Sequence, residues 1–176
     1  SIFVGYRYYD KKEMSVAFPF GYGMSYTDYT YGNLRIDKDR ISDRECLHLA
    51  VDVTNTGTRF GKAVVQVYVR NAEGTVRRPV RELRDFAKVA LEPGETKTAE
   101  FVLDKRAFAY YEQKIGDFCV ESGDYTVEIG SDSRTVAVSA GRYQTHGGQF
   151  RSFGMVRHPV HLNVDGAAAA LGHFKA

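Results

Sequence analysis

A chain of 176 residues with 43% hydrophobic and 26% charged residues can bury a core of its own, which excludes wholesale disorder. No apolar run approaches the ~20 residues that a membrane-crossing helix needs, so a helical membrane-spanning protein is excluded as well. The net charge of +2 hides a split: residues 139–176 carry +3, through Arg142, Arg151, Arg157 and Lys175 against Asp165, and leave −1 on the rest. The body alternates its signs instead of gathering Lys and Arg on one surface, which argues against nucleic-acid binding.

The first region, 1–32, starts inside an apolar stretch at Ser1-Ile2-Phe3-Val4 and reads as a piece cut from a longer protein. It holds ten of the 23 Phe and Tyr residues. In Phe18-Pro19-Phe20-Gly21-Tyr22-Gly23-Met24-Ser25-Tyr26, glycines and one proline alternate with rings, which suits neither a helix nor a central strand. The expectation is an extended connector whose rings lie on another surface.

Residues 33–138 predict an all-β unit. Leu47, Leu49, Val51 and Val53 alternate with Cys46, His48, Ala50 and Asp52, the period of a half-buried strand. Asn55-Thr56-Gly57 supplies a turn, and Val65, Val67 and Val69 share a face of the next strand. A strand over 84–91 closes at the turn Glu92-Pro93-Gly94-Glu95. Ala99, Phe101 and Leu103 alternate next, then Tyr125, Val127 and Ile129 after Ser122-Gly123-Asp124. One helical turn is expected near Asp104-Lys105-Arg106. Short alternating strands with a turn every ten residues or so predict a two-sheet β-sandwich. Cys46 and Cys119 are too few for a disulfide framework. Their neighbours alternate inward, so both are expected on outer strand faces as free thiols, in keeping with a reducing, cytoplasmic compartment.

Residues 139–176 lose the pattern, and a flexible or non-native tail is expected. His158-Pro159-Val160-His161, with His146 or His173, could supply metal ligands, but nothing nearby forms a rigid scaffold, so no metal is expected.

The motifs, in order, resemble the C-terminal part of a glycoside hydrolase family 3 β-glucosidase. Val4-Gly5-Tyr6-Arg7-Tyr8-Tyr9-Asp10 is similar to the end of the family's α/β sandwich domain. Phe18-Pro19-Phe20-Gly21-Tyr22-Gly23-Met24-Ser25-Tyr26-Thr27 is similar to its linker, with Met24 where Leu is usual. Val53-Thr54-Asn55-Thr56-Gly57, Arg78-Pro79-Val80-Arg81-Glu82-Leu83 and Gly123-Asp124-Tyr125-Thr126-Val127 resemble its fibronectin type III-like domain. The likeness covers about residues 2–138. Two departures stand out: no Trp follows Phe108-Ala109-Tyr110-Tyr111, and the tail resembles nothing in the family.

The resemblance implies hydrolysis of β-glucosides with retention by the parent, which needs two carboxyl groups about 5–5.5 Å apart. The family's nucleophile is the Asp of a Ser-Asp-Trp segment. Ser42-Asp43 and Ser131-Asp132 lack that Trp and read as turn formers. The acid/base Glu lies upstream of this chain. No catalytic residue, cofactor or metal ligand is therefore expected here, and the segment should be a non-catalytic accessory domain. Glu82 and Asp85 sit among Arg77, Arg78, Arg81 and Arg84, which predicts lowered pKa values and a solvated ion-pair network.

Binding is expected of Tyr6, Tyr8, Phe18, Phe20, Tyr22 and Tyr26, either by packing against the neighbouring domain or by stacking on sugars. The expected partners are the parent's catalytic domains and, through an exposed apolar patch, a second copy in a homo-oligomer. No nucleic acid or membrane is expected. The alternative is a carbohydrate- or protein-binding sandwich module.

Overall fold

The computed structural model describes residues 2–42, 44–71 and 74–145, with the side chains of 141–145 excepted. A short helix, α1 (Tyr6–Lys11), precedes β1 (Tyr29–Ile36), β2 (Arg40–Ile41), β3 (Leu47–Asn55), β4 (Gly61–Asn71), β5 (Glu82–Leu91) and β6 (Thr96–Leu103). A single turn of helix, α2 (Lys105–Phe108), leads into β7 (Tyr110–Glu112), β8 (Asp117–Cys119), β9 (Gly123–Gly130) and β10 (Val136–Thr145).

Two main sheets face each other. One has the order β1-β3-β6, and the other has the order β2-β10-β9-β4-β5. All pairings are antiparallel except β2 with β10, and β7 and β8 form a separate ribbon. Leu47, Leu49, Val51 and Val53 point into the core opposite Val65, Val67, Tyr125, Val127 and Ile129, and all are fully buried. Each such side chain stabilises the fold by about 1.5–3 kcal/mol. The β-sandwich is therefore the architecture, and the alternating strands supply its core.

The strands overrun the expected limits of 33 and 138 at both ends. β1 begins at Tyr29, and β10 continues in backbone pairing with β9 as far as Thr145. Bulges explain the difference. β1 shifts register between Gly32 and Arg35, where Asn33 takes φ 49°, and β10 shifts at Val136/Val138 and again at Ala140/Arg142. Each bulge interrupts the period of two by one residue, so the alternation fades although the strand goes on.

Helix α1 lies in the segment expected to be wholly extended. Gly5, at φ 58°, turns the chain into it. The expected turn at 104–106 is α2, capped by Asp104, whose Oδ1 accepts from Arg106 N–H at 2.8 Å. Neither cysteine forms a disulfide. Cys119 is buried, which corrects the outer-face expectation. The β7–β8 ribbon folds back on the sandwich, so both faces of β8 are covered, with Phe118 under the Arg106 guanidinium. Cys46 sits in the turn just before β3 and is half-buried. The tail histidines fall outside the described residues.

Candidate functional site

On β4, Gln66 and Tyr68 point away from the core, as does Glu128 on β9, yet all three are buried. The N-terminal segment covers Gln66 and Tyr68, while Arg81, just before β5, lies against Glu128. The Tyr6 ring, on α1, stacks on Phe20 at 4.8 Å between centroids and meets Tyr68 edge-on at 6.2 Å. Its hydroxyl accepts from Leu83 N–H of β5 at 2.9 Å. Tyr68 Oη donates to Gln66 Oε1 at 2.6 Å, and Gln66 Nε2 donates to the carbonyls of Ser131 and Gly21. Gly21, at φ 84°, lies so close that a Cβ there would collide with the Gln66 amide. Burial pushes the Tyr68 phenol pKa well above the ordinary tyrosine value.

Two further ties hold the segment down. Ser133 N–H donates to Phe20 O at 2.8 Å. Arg134 donates through Nε to Asp10 Oδ1 and through Nη2 to Met14 O, both at 2.8 Å. Aromatic contacts and charge-assisted hydrogen bonds together bind the connector to the outer face of the five-stranded sheet.

The six aromatic candidates divide. Tyr6 and Phe20 meet on this face. Phe18 and Tyr22 stack on each other at 5.3 Å, Tyr8 lies edge-on to Tyr9, and Tyr26 stands apart. Phe18, Met24 and Tyr26 are 70%, 91% and 92% exposed. Sequence reasoning missed Gln66, Tyr68, Asp10, Ser133 and Arg134. The one available signal was a Tyr on the non-core face of a strand that otherwise carries Lys62, Val64, Gln66 and Arg70 there.

The arginine-rich stretch is not the solvated network expected. Arg78 and Glu82 are only 6% and 13% exposed in their side chains. Glu82 Oε2 receives Arg78 Nη2 at 2.7 Å and Arg84 Nη2 at 2.8 Å, and Arg7 of α1 stands 3.9 Å from Oε1. Arg78 also donates to the carbonyls of Phe108 and Ala109 that α2 leaves open. Burial lowers the pKa of Arg84. Arg81 Nε lies 3.1 Å from Glu128 Oε2, a second buried pair. The physical reason is topological, because β5 begins where the N-terminal segment and the α2 corner both close over it.

The carboxylates with displaced pKa values are Glu45, Asp52 and Glu95, and all three are displaced downward by hydrogen bonds. A general acid needs the opposite shift. Asp132 is committed to its turn, with Oδ1 accepting from Arg134 N–H and Thr135 N–H at 2.8 Å each. Asp43 lies outside the described residues. Among those residues no cluster of three His, Cys, Asp or Glu side chains could hold a metal, and no helix is long and apolar enough to cross a membrane.

Asp52 has a measurable consequence. Arg35 grips it with Nη1 to Oδ2 at 3.0 Å and Nη2 to Oδ1 at 2.7 Å, while Thr98 and Asn33 donate as well. The Arg35 hydrogen bonds hold its pKa well below the ordinary 3.8, so its contribution is complete above that value and is lost as pH falls below about 4. Asp52→Asn should cost about 1–2 kcal/mol at pH 7 and flatten the acid limb of a stability-against-pH curve. Parallel acid limbs in the two proteins would contradict this.

Comparison with known proteins places these features. Residues 63–133 match the fibronectin type III-like domain family. The thermostable β-glucosidase B of Acetivibrio thermocellus is 49% identical over 137 residues, covering 78% of this chain and 18% of that protein. An exo-α-(1→6)-L-arabinopyranosidase of Bifidobacterium breve is 43% identical over 136 residues, covering 77% and 18%. The crystal structure of a glycoside hydrolase family 3 β-glucosidase from Bifidobacterium adolescentis superposes with a TM-score of 0.75 at 36% identity, covering all of this chain and 23% of that one. The chain thus spans about a fifth of the length of the proteins it matches. The chain belongs to glycoside hydrolase family 3, as the C-terminal segment that carries the fibronectin type III-like domain.

Proposed function

We propose that this accessory domain is a non-catalytic brace, which holds the catalytic domains of a retaining β-glucosidase in place through the aromatic connector. The observation that carries the reading is the two-sided connector. Tyr6 and Phe20 anchor it to the sandwich, while Phe18, Tyr22, Met24 and Tyr26 face outward. A row of exposed rings and a thioether is the kind of surface that a neighbouring domain covers. The Asp10–Arg134 and Arg7–Glu82 pairs stiffen the joint between the two.

The chemistry belongs to carboxylates outside this chain. The two relatives named above, a β-glucosidase and an arabinopyranosidase, share this segment at 49% and 43% identity, which supports a role indifferent to which sugar is cleaved. Terminal β-linked glucose or a related sugar is the parent's substrate in this reading.

The test mixes the purified chain with the missing catalytic portion and follows hydrolysis of a chromogenic β-glucoside. The chain alone is expected to be inactive, and the mixture is expected to recover turnover. Replacing both Met24 and Tyr26 by Ser should abolish that recovery while leaving the sandwich folded. Failure of two folded parts to complement, or turnover by the chain alone, would sink the proposal.

A further inference from the structure

Beyond the connector, the sandwich itself carries an uncovered apolar patch. Phe86 of β5 is 66% exposed and Val64 of β4 is 37% exposed. Gln66 stands opposite Phe86 in the β4–β5 ladder, and Val64 stands opposite Lys88. Ala87 and Val89 turn to the core, so Phe86, Lys88 and Ala90 share the outer face of the sheet with Lys62 and Val64. This patch is continuous with the connector. Gly21 lies on the Gln66 amide, directly across the ladder from Phe86, and the half-exposed Tyr22 ring follows it.

The mode of contact follows from the strand. β5 is an edge of its sheet, but the Phe86 N–H is already taken by Asp85 Oδ1 at 2.8 Å. An occupied amide obstructs the addition of a strand at that point, so a partner meets the face and not the edge. A ring standing out of a flat sheet beside a valine is the kind of anchor that a partner's pocket takes up.

The charges narrow the partner. Lys62 and Lys88 are both exposed, stand diagonally across the ladder, and face Ala90 and Val64 instead of carboxylates. Among the described residues neither lysine makes an ion pair. A two-fold dimer through this face would bring the lysines of both copies together, which disfavours a second copy. The chain spans about a fifth of the proteins it matches, so in the parent the catalytic portion is joined to this domain at an effective concentration that no free partner reaches. We infer that the outer face of β4 and β5, with Phe86 as its anchor, docks on a surface of the parent's catalytic portion that offers an apolar pocket rimmed by carboxylates for Lys62 and Lys88. The inference rests on the bracing reading and adds to it a second contact, made by the sheet and not by the connector.

The experiment acetylates lysines briefly in the full chain, alone and mixed with the catalytic portion, and reads each site by mass spectrometry. Lys62 and Lys88 should be protected in the mixture, while the exposed Lys114 between β7 and β8 should react equally in both. Phe86→Ser, at an exposed position, should leave the urea midpoint of the chain in place and weaken binding about tenfold. Lys62→Glu together with Lys88→Glu should weaken it as well and reverse its dependence on salt. Binding that leaves Lys62 and Lys88 as reactive as in the free chain would overturn this inference while the brace stands, and so would full affinity in Phe86→Ser. Two folded parts that do not bind at all would overturn both. Protection of the two lysines in the chain alone, growing with its concentration, would assign the face to a second copy and overturn the inference too.

Discussion

Replacing Asn55 by alanine is expected to destabilise the domain by about 3–4 kcal/mol, a large part of the roughly 5–15 kcal/mol that holds a domain of this size together. Asn55 ends β3 and is fully buried. Its Oδ1 accepts from Thr27 Oγ1 at 2.6 Å and Gly57 N–H at 3.1 Å, while Nδ2 donates to Arg59 O at 2.8 Å and Leu91 O at 3.1 Å. Its backbone closes the β5–β6 turn, with N–H to Glu95 O at 3.0 Å and carbonyl to Gly94 N–H at 2.9 Å. One side chain thus ties the end of the connector, the β3–β4 turn and the end of β5 together. Alanine would strand four groups, each at a cost far above that of an exposed bond. Asn55→Asp should be worse, because its second oxygen would face two carbonyls and carry charge into a dry site. Thr27→Ala, which removes one contact, should cost about 1 kcal/mol. Urea unfolding reads all three through the midpoint at constant slope. A loss below about 1 kcal/mol for Asn55→Ala would show that the network adds little to stability.

The same corner shows what was legible in the sequence. Asn55-Thr56-Gly57 read as a turn from residue type alone, but its link to Thr27 did not, since nothing local announces a partner 28 residues away. Gly57 is there for proximity, because a Cβ would run into Thr27. Strands with an uninterrupted period of two, such as 47–53 and 65–69, were legible because burial follows alternation directly. Bulged strands were not, and β1 and β10 both outran the limits set by the pattern. At the candidate site the rings of the connector announced a packing surface. The pattern could not say that Tyr6 turns toward Tyr68 with Phe20 stacked on it while Tyr26 stays exposed, because alternation separates the faces of a strand without telling what lies on the outer one. Charge density misled for the same reason. Four arginines and an acid in eight residues look solvated until the chain folds over them.

That buried cluster carries the second large effect. Glu82→Ala should destabilise the domain by about 3–5 kcal/mol, since it leaves Arg78 and Arg84 charged and unmatched in a protected site. The partners are not equivalent, and the order of effects is the test. Arg84 is already disfavoured as a cation by burial, and Arg78 still neutralises Glu82 when Arg84 is gone, so Arg84→Met should cost only about 1 kcal/mol. Arg78→Met should approach the Glu82 loss, because the Phe108 carbonyl would lose its donor together with the ion pair, while the Ala109 carbonyl would keep only Arg84. An Arg84→Met variant as damaged as Glu82→Ala would refute this reading of the cluster. The consequence reaches the connector as well. Arg7 approaches Glu82, and the next residue, Leu83, donates to Tyr6. Loosening the start of β5 should therefore release α1 and expose the connector to protease before the sandwich itself unfolds. A brace works only while its joint is stiff, so Glu82→Ala should also lose complementation at temperatures where the core of β3, β4 and β9 remains folded.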